Sequence, residues 1–241
     1  MRLDKAVTYA RLSRSEAGKA IRQGRVRVNG SAVTNAGRAV APEDEITLDG
    51  ARVAIKLHTH YMLNKPAGVI TATQDARGER TVLDLIAPAD RIKGLGPAGR
   101  LDKDVTGLVI LTSDGQLAHR LISPARGISK EYTAYVAGVP DESDINAFGE
   151  GLELGDFRAR PAHLRLISAG GGNALCRIEV TEGKYHEVKR MFEKTGHPVL
   201  ALSRRRIAGL TLDETLPQGA YRQLTDDEEA LLYAAAGMET P

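Results

Sequence analysis

The chain has 241 residues, of which 42% are hydrophobic and 27% charged, a balance typical of a globular protein with one large or two smaller domains. A single cysteine, Cys176, excludes a disulfide within the chain and a cysteine-cluster metal site. No apolar run approaches the roughly 18 residues that a membrane span needs, and the N-terminus is charged from its second residue, so we expect a soluble cytoplasmic protein with no membrane partner.

The net charge of +2 hides a strong asymmetry along the chain. Residues 1–40 contain nine Lys or Arg against two acids, whereas residues 141–156 contain six acids and no base. A second basic segment, residues 184–206, has seven bases against two acids. Clustered cations favour a polyanionic partner, and the alternative is a solvated surface that binds nothing.

The first 24 residues predict two helices. Leu3 and Val7 recur at helical spacing, which favours a first short helix. Ser13 and Glu16 match a capping box, so a second helix should begin there and end near Gly24.

A hairpin is predicted next, because Val26 and Val28 alternate with arginines and Asn29-Gly30 is a strong signal for a two-residue turn. This helix–helix–hairpin order over residues 1–50 resembles the S4 RNA-binding module. The resemblance implies binding of structured RNA through phosphate and shape. The basic residues expected to make these contacts are Arg2, Lys5, Arg14, Lys19, Arg22, Arg25 and Arg27.

Residues 51–60 are predicted to be a linker, residues 61–230 a second domain and residues 231–241 a frayed tail. The second domain mixes strands and helices without a regular βαβ rhythm, which favours an α+β fold with a mixed, mostly antiparallel sheet. Predicted strands are YMLNKPAGVIT, LVILT, KEYTAYVAG, HLRLIS and ALCRIEVT, and predicted helices are SDGQLAHRLIS and KYHEVKRMFEKTG.

The segment GLGPAG, residues 94–99, matches the dinucleotide-binding pattern G-x-G-x-x-G letter for letter. That pattern must follow a buried strand and open a helix, whose N-terminus binds the pyrophosphate. Here Pro97 interrupts the turn, and the residues that follow predict a strand. We therefore expect no nucleotide cofactor at this position.

Residues 99–117, GRLDKDVTGLVILTSDGQL, place two carboxylates, Asp102 and Asp104, directly before an apolar strand. On spacing alone, a turn stabilised by an ion pair is as good an interpretation as a catalytic loop. The neighbouring motifs decide between them. This stretch, YMLNKPAG, KEYTAYV and EGKYHEVKRMF together resemble the motifs of RNA pseudouridine synthases, and with the S4-like module the resemblance covers residues 1–230.

The resemblance implies an RNA uridine isomerase. In that reaction the N1–C1′ bond breaks, the uracil rotates and C5 bonds to C1′, so no cofactor and no metal are expected. The family's catalytic aspartate falls on Asp102, which would attack C1′ as a nucleophile or remove the C2′ proton as a base. Asp104 does not match that position, and we expect it to brace the turn that presents Asp102.

The resemblance also assigns the groups around Asp102. A carboxylate that stays charged in a closing site needs a nearby cation, and the family's basic partner falls on Lys189, where many relatives carry arginine. On a helix Arg190 points about 100° away and should be an exposed charge. Tyr132 matches the family's active-site tyrosine, and strand alternation places Tyr135 on the opposite face, where we expect it to be core.

The target uridine must leave its helix or loop to reach the carboxylate. We expect Arg100 to fill the gap or grip the adjacent phosphate. Arg204, Arg205 and Arg206 should contact phosphates together with the S4-like domain. The predicted partner is ribosomal RNA or a small-subunit precursor particle, bound by a monomer.

The exact target stays open at this point. KYHEVKRMF and the ending RRRIAGLTLDETLPQGAYRQLT are most similar to synthases of small-subunit (16S) ribosomal RNA, but large-subunit (23S) synthases share the same outline. A further alternative is an RNA-binding ribosome assembly factor without catalysis. The joint presence of Asp102, Tyr132 and Lys189 argues against that alternative.

Overall fold

The computed structural model describes residues 1–10, 12–41, 43–53 and 57–240, and the chain divides into two compact units, residues 1–57 and 58–240. The predicted linker, residues 51–60, straddles this division. Ala51 and Arg52 form a strand of the first unit, and His60 begins a strand of the second. Residues 54–56 of the predicted linker lie outside the described residues.

The first unit packs two helices and a short 3₁₀ helix against a four-stranded antiparallel sheet of order β2-β1-β3-β4. Its elements are α1 (Leu3–Val7), the 3₁₀ helix Thr8–Ala10, α2 (Arg14–Arg22), β1 (Val26–Val28), β2 (Ser31–Ala32), β3 (Ile46–Leu48) and β4 (Ala51–Arg52). Its core includes the fully buried side chains of Leu3, Ile21 and Val26.

Local sequence signals of this unit are confirmed in detail. The Glu16 N–H donates to Ser13 Oγ at 3.3 Å, and the Ser13 N–H donates to the Glu16 carboxylate at 2.7 Å, which is the predicted capping box. Asn29 and Gly30 both adopt positive φ, 51° and 77°, as a type I′ hairpin turn requires. The β1–β2 hairpin follows from this turn.

The second unit is built on a mixed sheet in which the described residues form nine strands. Along its main path the order is β13-β5-β7-β11-β8-β10-β9; β7 and β11 run parallel, and the other pairs are antiparallel. The strands are β5 (His60–Lys65), β6 (Gly96–Pro97), β7 (Thr106–Thr112), β8 (Lys130–Ala137), β9 (His163–Gly170), β10 (Asn173–Val180), β11 (Val199–Ile207), β12 (Leu210–Thr211) and β13 (Tyr221–Gln223). The helices are α3 (Gly115–Ile122), α4 (Glu142–Glu150), α5 (Glu187–Lys194) and α6 (Asp226–Ala235), with 3₁₀ helices at Val82–Leu85, Pro88–Asp90 and Pro124–Arg126. The predicted α+β class with a mostly antiparallel sheet is confirmed.

Strand β7 lies inside the sheet and is covered on both faces. Val109 and Leu111 belong to one hydrophobic cluster, whereas Leu108 and Ile110 belong to a second cluster that includes residues of α3 and α6. A strand buried on both faces carries an uninterrupted apolar run, which explains the LVILT segment. This strand therefore gives the loop that precedes it a rigid support.

Two further predictions concern the segments GLGPAG and 231–241. Gly96 and Pro97 form β6, which pairs with β7 and opens no helix, so the dinucleotide pattern lacks the structure it needs. The prediction of a frayed tail is wrong for its first part, because α6 extends to Ala235 and buries Leu232 and Tyr233. Among the described residues, no helix has the length and apolar character to cross a membrane.

Candidate active site

The loop between β6 and β7 presents Asp102 and Asp104 at the start of the buried strand. Its turn is closed by the Val105 N–H, which donates to the Asp102 carbonyl at 3.1 Å. Gly107 has φ 99°, and a Cβ atom at this position would lie 2.3 Å from the carbonyl oxygen of Arg204 on β11. The loop thus enters the sheet through a position that only glycine fits.

Lys65, at the end of β5, fixes the backbone of this loop. Its fully buried ammonium donates to the carbonyls of Val105 at 2.8 Å and Asp102 at 3.1 Å. The carbonyls of Pro66 and Lys103 also accept from it, at 3.1 and 3.2 Å. Burial lowers the pKa of Lys65 to about 8, against the opposing effect of the loop carboxylates. The sequence analysis missed this role because a lysine in a predicted strand carries no local sign of burial.

Lys189, on α5, contacts both carboxylates of the loop. Its Nζ lies 3.3 Å from Asp102 Oδ2 and 2.7 and 2.8 Å from the two oxygens of Asp104. Burial of Lys189 opposes its charge, but the hydrogen bond to Asp104 and the negative charge of Asp102 raise its pKa. The same hydrogen bond lowers the pKa of Asp104. Asp104 therefore ties the loop to α5, a contact across 85 residues that the spacing of the two aspartates does not indicate.

Arg190, the next residue on α5, is directed elsewhere. Its guanidinium pairs with Asp156 and donates to the carbonyl of Leu154. The angular separation of neighbouring residues on a helix accounts for this difference from Lys189.

His186 is a site residue that the sequence analysis missed. Its Nε2 lies 3.5 Å from Asp102 Oδ1, whereas Lys189 lies nearest to Oδ2, so the two oxygens of the carboxylate face two different basic groups. The backbone of His186 is left-handed, with φ 50° and ψ 26°, at the start of α5. A spacing of three residues places His186 and Lys189 on one side of the helix, and that spacing is the signal that could have identified it.

Tyr132 lies beside the carboxylate, whereas Tyr135 does not. Tyr132 is 8% exposed and lines the same pocket as Asp102. Tyr135 is on the other face of β8, as alternation predicts, but it is 41% exposed, so the prediction that it is core is wrong. Alternation assigns residues to faces of a sheet and does not show whether a face is covered.

One open pocket is lined by Asp102, Tyr132, His186 and Lys189, and its empty space, which is continuous with solvent, is about 440 Å³. Arg100 also lines it, and its side chain is exposed. Among the described residues, no three His, Cys, Asp or Glu side chains are grouped to hold a metal ion. The pocket thus combines a carboxylate, basic groups and an aromatic ring around one opening.

Two buried carboxylates, Glu182 and Glu187, form part of the pocket wall. Burial and the adjacent Glu182 raise the pKa of Glu187. Burial acts in the same direction on Glu182, but the hydrogen bonds from Glu187 and the Arg160 N–H lower the pKa of Glu182 overall. The two carboxylates therefore titrate as a pair, which retains a proton at a pH where a free glutamate would lose it.

The predicted RNA-contacting residues fall into two groups. All seven in the first unit are exposed, as a phosphate-binding surface requires. The prediction is wrong for Arg204, which is 2% exposed and donates to the Leu108 carbonyl. Arg205 pairs with Glu214, and Arg206 binds Glu131 on β8 and Glu179 on β10. The Arg204–Arg206 run is thus mostly engaged within the protein because alternate residues of β11 face the core.

Comparison with known proteins identifies the class of each unit. Residues 1–46 match the family model described as "S4 domain", and residues 59–194 match the one described as "RNA pseudouridylate synthase". The chain belongs to the RNA pseudouridylate synthase family and carries an N-terminal S4 domain, so it is an enzyme that isomerises uridine in RNA.

Individual relatives match over nearly the whole chain. The ribosomal small subunit pseudouridine synthase A of Escherichia coli (strain K12) is 39% identical, over 95% of this chain and 99% of that protein. The ribosomal large subunit pseudouridine synthase B of Bacillus subtilis (strain 168) is 37% identical, over 98% and 96%. A crystal structure of a pseudouridylate synthase superposes with a TM-score of 0.67 at 36% identity, over 96% and 99% of the two chains.

Proposed function

We propose that this enzyme converts a specific uridine of small-subunit (16S) ribosomal RNA to pseudouridine, with Asp102 as the reacting carboxylate. The observation that carries the proposal is the setting of Asp102. Its Oδ1 faces His186 and its Oδ2 faces Lys189, in a pocket that Tyr132 also lines. A cation beside a carboxylate favours the charged form, which is the form that the reaction needs.

The chemistry needs one ionised carboxylate beside the ribose. In one route an Asp102 oxygen bonds to C1′ as the N1–C1′ bond breaks, and C5 of the rotated uracil later displaces it. In the other, Asp102 removes the C2′ proton as the N1–C1′ bond breaks, a glycal forms, and C2′ regains the proton when C5 bonds to C1′. In both routes C5 bonds to C1′, C5 loses its proton and N1 gains one, so atoms balance without a cofactor. Tyr132 is placed to contact the uracil during its rotation.

The choice of ribosomal RNA rests on the S4 domain and on the relatives. The Escherichia coli relative is named for the small subunit, and the ending of this chain is similar to such enzymes. A uridine of large-subunit (23S) RNA is the second candidate, because the Bacillus subtilis relative is named for that subunit. We further propose that the protein acts as a cytoplasmic monomer, on free RNA or on a small-subunit precursor particle.

The test is a map of pseudouridine in 16S and 23S RNA from cells with and without this gene. One 16S position should lose its pseudouridine in the deletion strain. Wild-type protein should restore it, and Asp102→Asn should not, although the variant still binds RNA. If the pseudouridine that disappears lies in 23S RNA instead, the target is that 23S uridine. An unchanged map in both RNAs would overturn the proposed ribosomal substrate.

The role of Asp102 is tested separately with purified protein and a transcript that carries the mapped uridine. Asp102→Asn should lose at least about 100-fold in rate, the low end for removal of a general base. Retention of wild-type rate by Asp102→Asn would remove Asp102 from the chemistry while leaving the target intact. Comparing naked transcript with precursor particles then shows which form is the substrate.

A further inference from the structure

Tyr185 has an unusual position for an aromatic side chain. Among the described residues it is the most exposed of the large hydrophobic side chains, with 75% of its surface open to solvent. Its ring stacks on His186, with the centroids 3.8 Å apart and the planes 18° from parallel. One face of the stack is thus free.

The backbone beneath the stack is held in place by buried groups. The Arg160 N–H donates to Glu182 at 2.9 Å, and the Lys184 N–H donates to Glu187 at 3.2 Å. Between these anchors the backbone of His186 is left-handed, a conformation that a non-glycine residue keeps only where its surroundings impose it. The exposed ring therefore stands on a fixed base.

The stack of Tyr185 and His186 also lies next to Asp102, the proposed reacting carboxylate. His186 Nε2 lies 3.5 Å from Asp102 Oδ1, and Arg100, Lys184 and Lys189 line the same pocket. An exposed aromatic ring surrounded by cations is the combination that unpaired nucleotides recognise, because bases stack on the ring while phosphates meet the charges.

We propose that Tyr185, stacked on His186, is a platform for the unpaired base of the nucleotide next to the target uridine. The inference rests on the proposed function, since it requires a uridine that leaves its stack to enter the pocket. When that uridine leaves its stack, one face of the flanking base is exposed. Stacking of this base on Tyr185 offsets part of the lost base stacking. Stacking tolerates any base, so the platform contributes affinity rather than sequence choice.

The experiment compares five proteins on three RNAs. The proteins are wild type, Tyr185→Ala, Tyr185→Phe and Tyr185→Leu, with Tyr135→Ala as the control for loss of an exposed tyrosine. The RNAs are the ribosomal fragment that the wild type modifies, and the same fragment with an abasic ribose 5′ or 3′ of the target uridine. If the wild type modifies no fragment, the ribosomal fragment that it binds most tightly is used, so that binding is measured even if the proposed function fails.

Tyr185→Ala should raise the Kd and KM for the intact fragment by about 5- to 100-fold, the range for loss of one stacked base, with kcat within about twofold. Tyr185→Phe should match the wild type, Tyr185→Leu should resemble Tyr185→Ala, and Tyr135→Ala should change nothing. On one of the two abasic RNAs, wild type and Tyr185→Ala should bind equally.

Unchanged affinity of Tyr185→Ala, or an equal loss on all three RNAs, would overturn the platform. A fall in kcat without a change in Kd would overturn it as well, and would show that Tyr185 acts by holding His186 against Asp102. Absence of pseudouridine with the wild type, together with the abasic-dependent loss of binding, would overturn the proposed activity and leave the platform standing.

Discussion

Gly107 is the residue on which the placement of the Asp102 loop depends most directly. It lies three residues after Asp104, where β7 pairs with β11, and a Cβ atom at this position would lie 2.3 Å from the carbonyl oxygen of Arg204. A side chain there would force the two parallel strands apart. The loop and the strand that supports it would then shift together.

Gly107→Ala should therefore lower the free energy of unfolding by about 2–4 kcal/mol, from the strained φ and the backbone overlap combined. Denaturant titration measures the change as a lower midpoint at constant slope. Gly115→Ala is the matched control, because Gly115 begins α3 with open space around its Cβ position. A midpoint for Gly107→Ala equal to that of the wild type would contradict the glycine requirement.

Lys189 and Asp104 touch each other but should differ in their effect on activity. Lys189→Met removes the cation from Asp102, and kcat/KM should fall by about 10²- to 10³-fold, as for other preorganised charges beside a reacting group. Asp104→Asn should stay within about fivefold, because its side chain is mostly exposed and such ion pairs contribute at most about 1 kcal/mol. Equal losses in the two variants would show that Asp104 belongs to the reacting groups.

Local sequence signals predicted the roles of single residues well where those roles depend on neighbours in the chain. They did not predict burial that depends on long-range packing. Asp102 stays a prediction, made because a motif surrounds it, whereas Ser13 and Glu16 were predicted correctly because a capping box is complete within four residues. Lys65 and Arg204 were not, because their burial depends on strands that are distant in sequence. A charged side chain looks the same in the sequence whether it faces water or a cluster of carbonyls.

Helix α5 is the element that assembles the pocket. His186 precedes its first turn, Glu187 begins it and Lys189 follows on the side of the loop, so one helix start supplies both basic neighbours of Asp102. Glu187 is buried beside Glu182, and both its burial and the presence of Glu182 raise its pKa. A proton is therefore retained in the folded protein at a pH where the unfolded chain would release it.

This raised pKa gives a pH dependence whose sign can be stated. Between the unfolded pKa of Glu187, about 4.3, and its higher folded value, the native state binds more protons, so the free energy of unfolding falls as pH rises. Glu187→Gln cannot ionise and should remove that loss. Its melting temperature should match the wild type near pH 4 and exceed it at pH 8. The corresponding gain in the free energy of unfolding at pH 8 is on the order of 1 kcal/mol.

The matched control for this effect is Glu193→Gln, an exposed carboxylate on the same helix. Its melting curves should follow the wild type at every pH, because exposed substitutions rarely alter stability by more than about 0.5 kcal/mol. A Glu187→Gln variant that is less stable at pH 8 than at pH 4, relative to wild type, would mean that the Glu187 carboxylate is ionised when folded.

Strands and helices were predicted correctly where the hydrophobic periodicity was strong. The elements that pack against them, and hence the burial of their faces, were not predicted. KEYTAYVAG forms β8, yet Tyr135 is exposed, and the other residues on its face of the strand, Glu131, Thr133 and Ala137, are only half-buried. The expected tail instead forms α6, whose Tyr233 hydroxyl donates to Asp114 at 2.8 Å. That contact spans 119 residues, and no local pattern indicates it.

The cationic excess of the whole chain lies in its S4 domain. The first unit has its own hydrophobic core, and the excess falls within its first 40 residues. Several of its exposed cations are partly neutralised, since Arg2 and Arg14 contact Asp4 and Arg25 pairs with Asp49. Three other exposed cations make no ion pair with any residue that the structure describes, namely Lys5, Lys19 and Arg22. Their charge is therefore available to phosphate.

Replacement of Lys5, Lys19 and Arg22 by alanine should therefore weaken RNA binding most at low salt. Each cation that neutralises a phosphate releases counterions, so the slope of log K against log salt should become shallower by about 2 for three contacts. Arg158→Ala is the control, because Arg158 is exposed in the second unit and already faces Glu153 at 3.5 Å. Thermal melting should stay unchanged, since exposed substitutions rarely alter stability by more than about 0.5 kcal/mol. A salt slope equal to that of the wild type would show that these three cations do not meet the RNA, and that the basic excess of the first unit is a solvated surface.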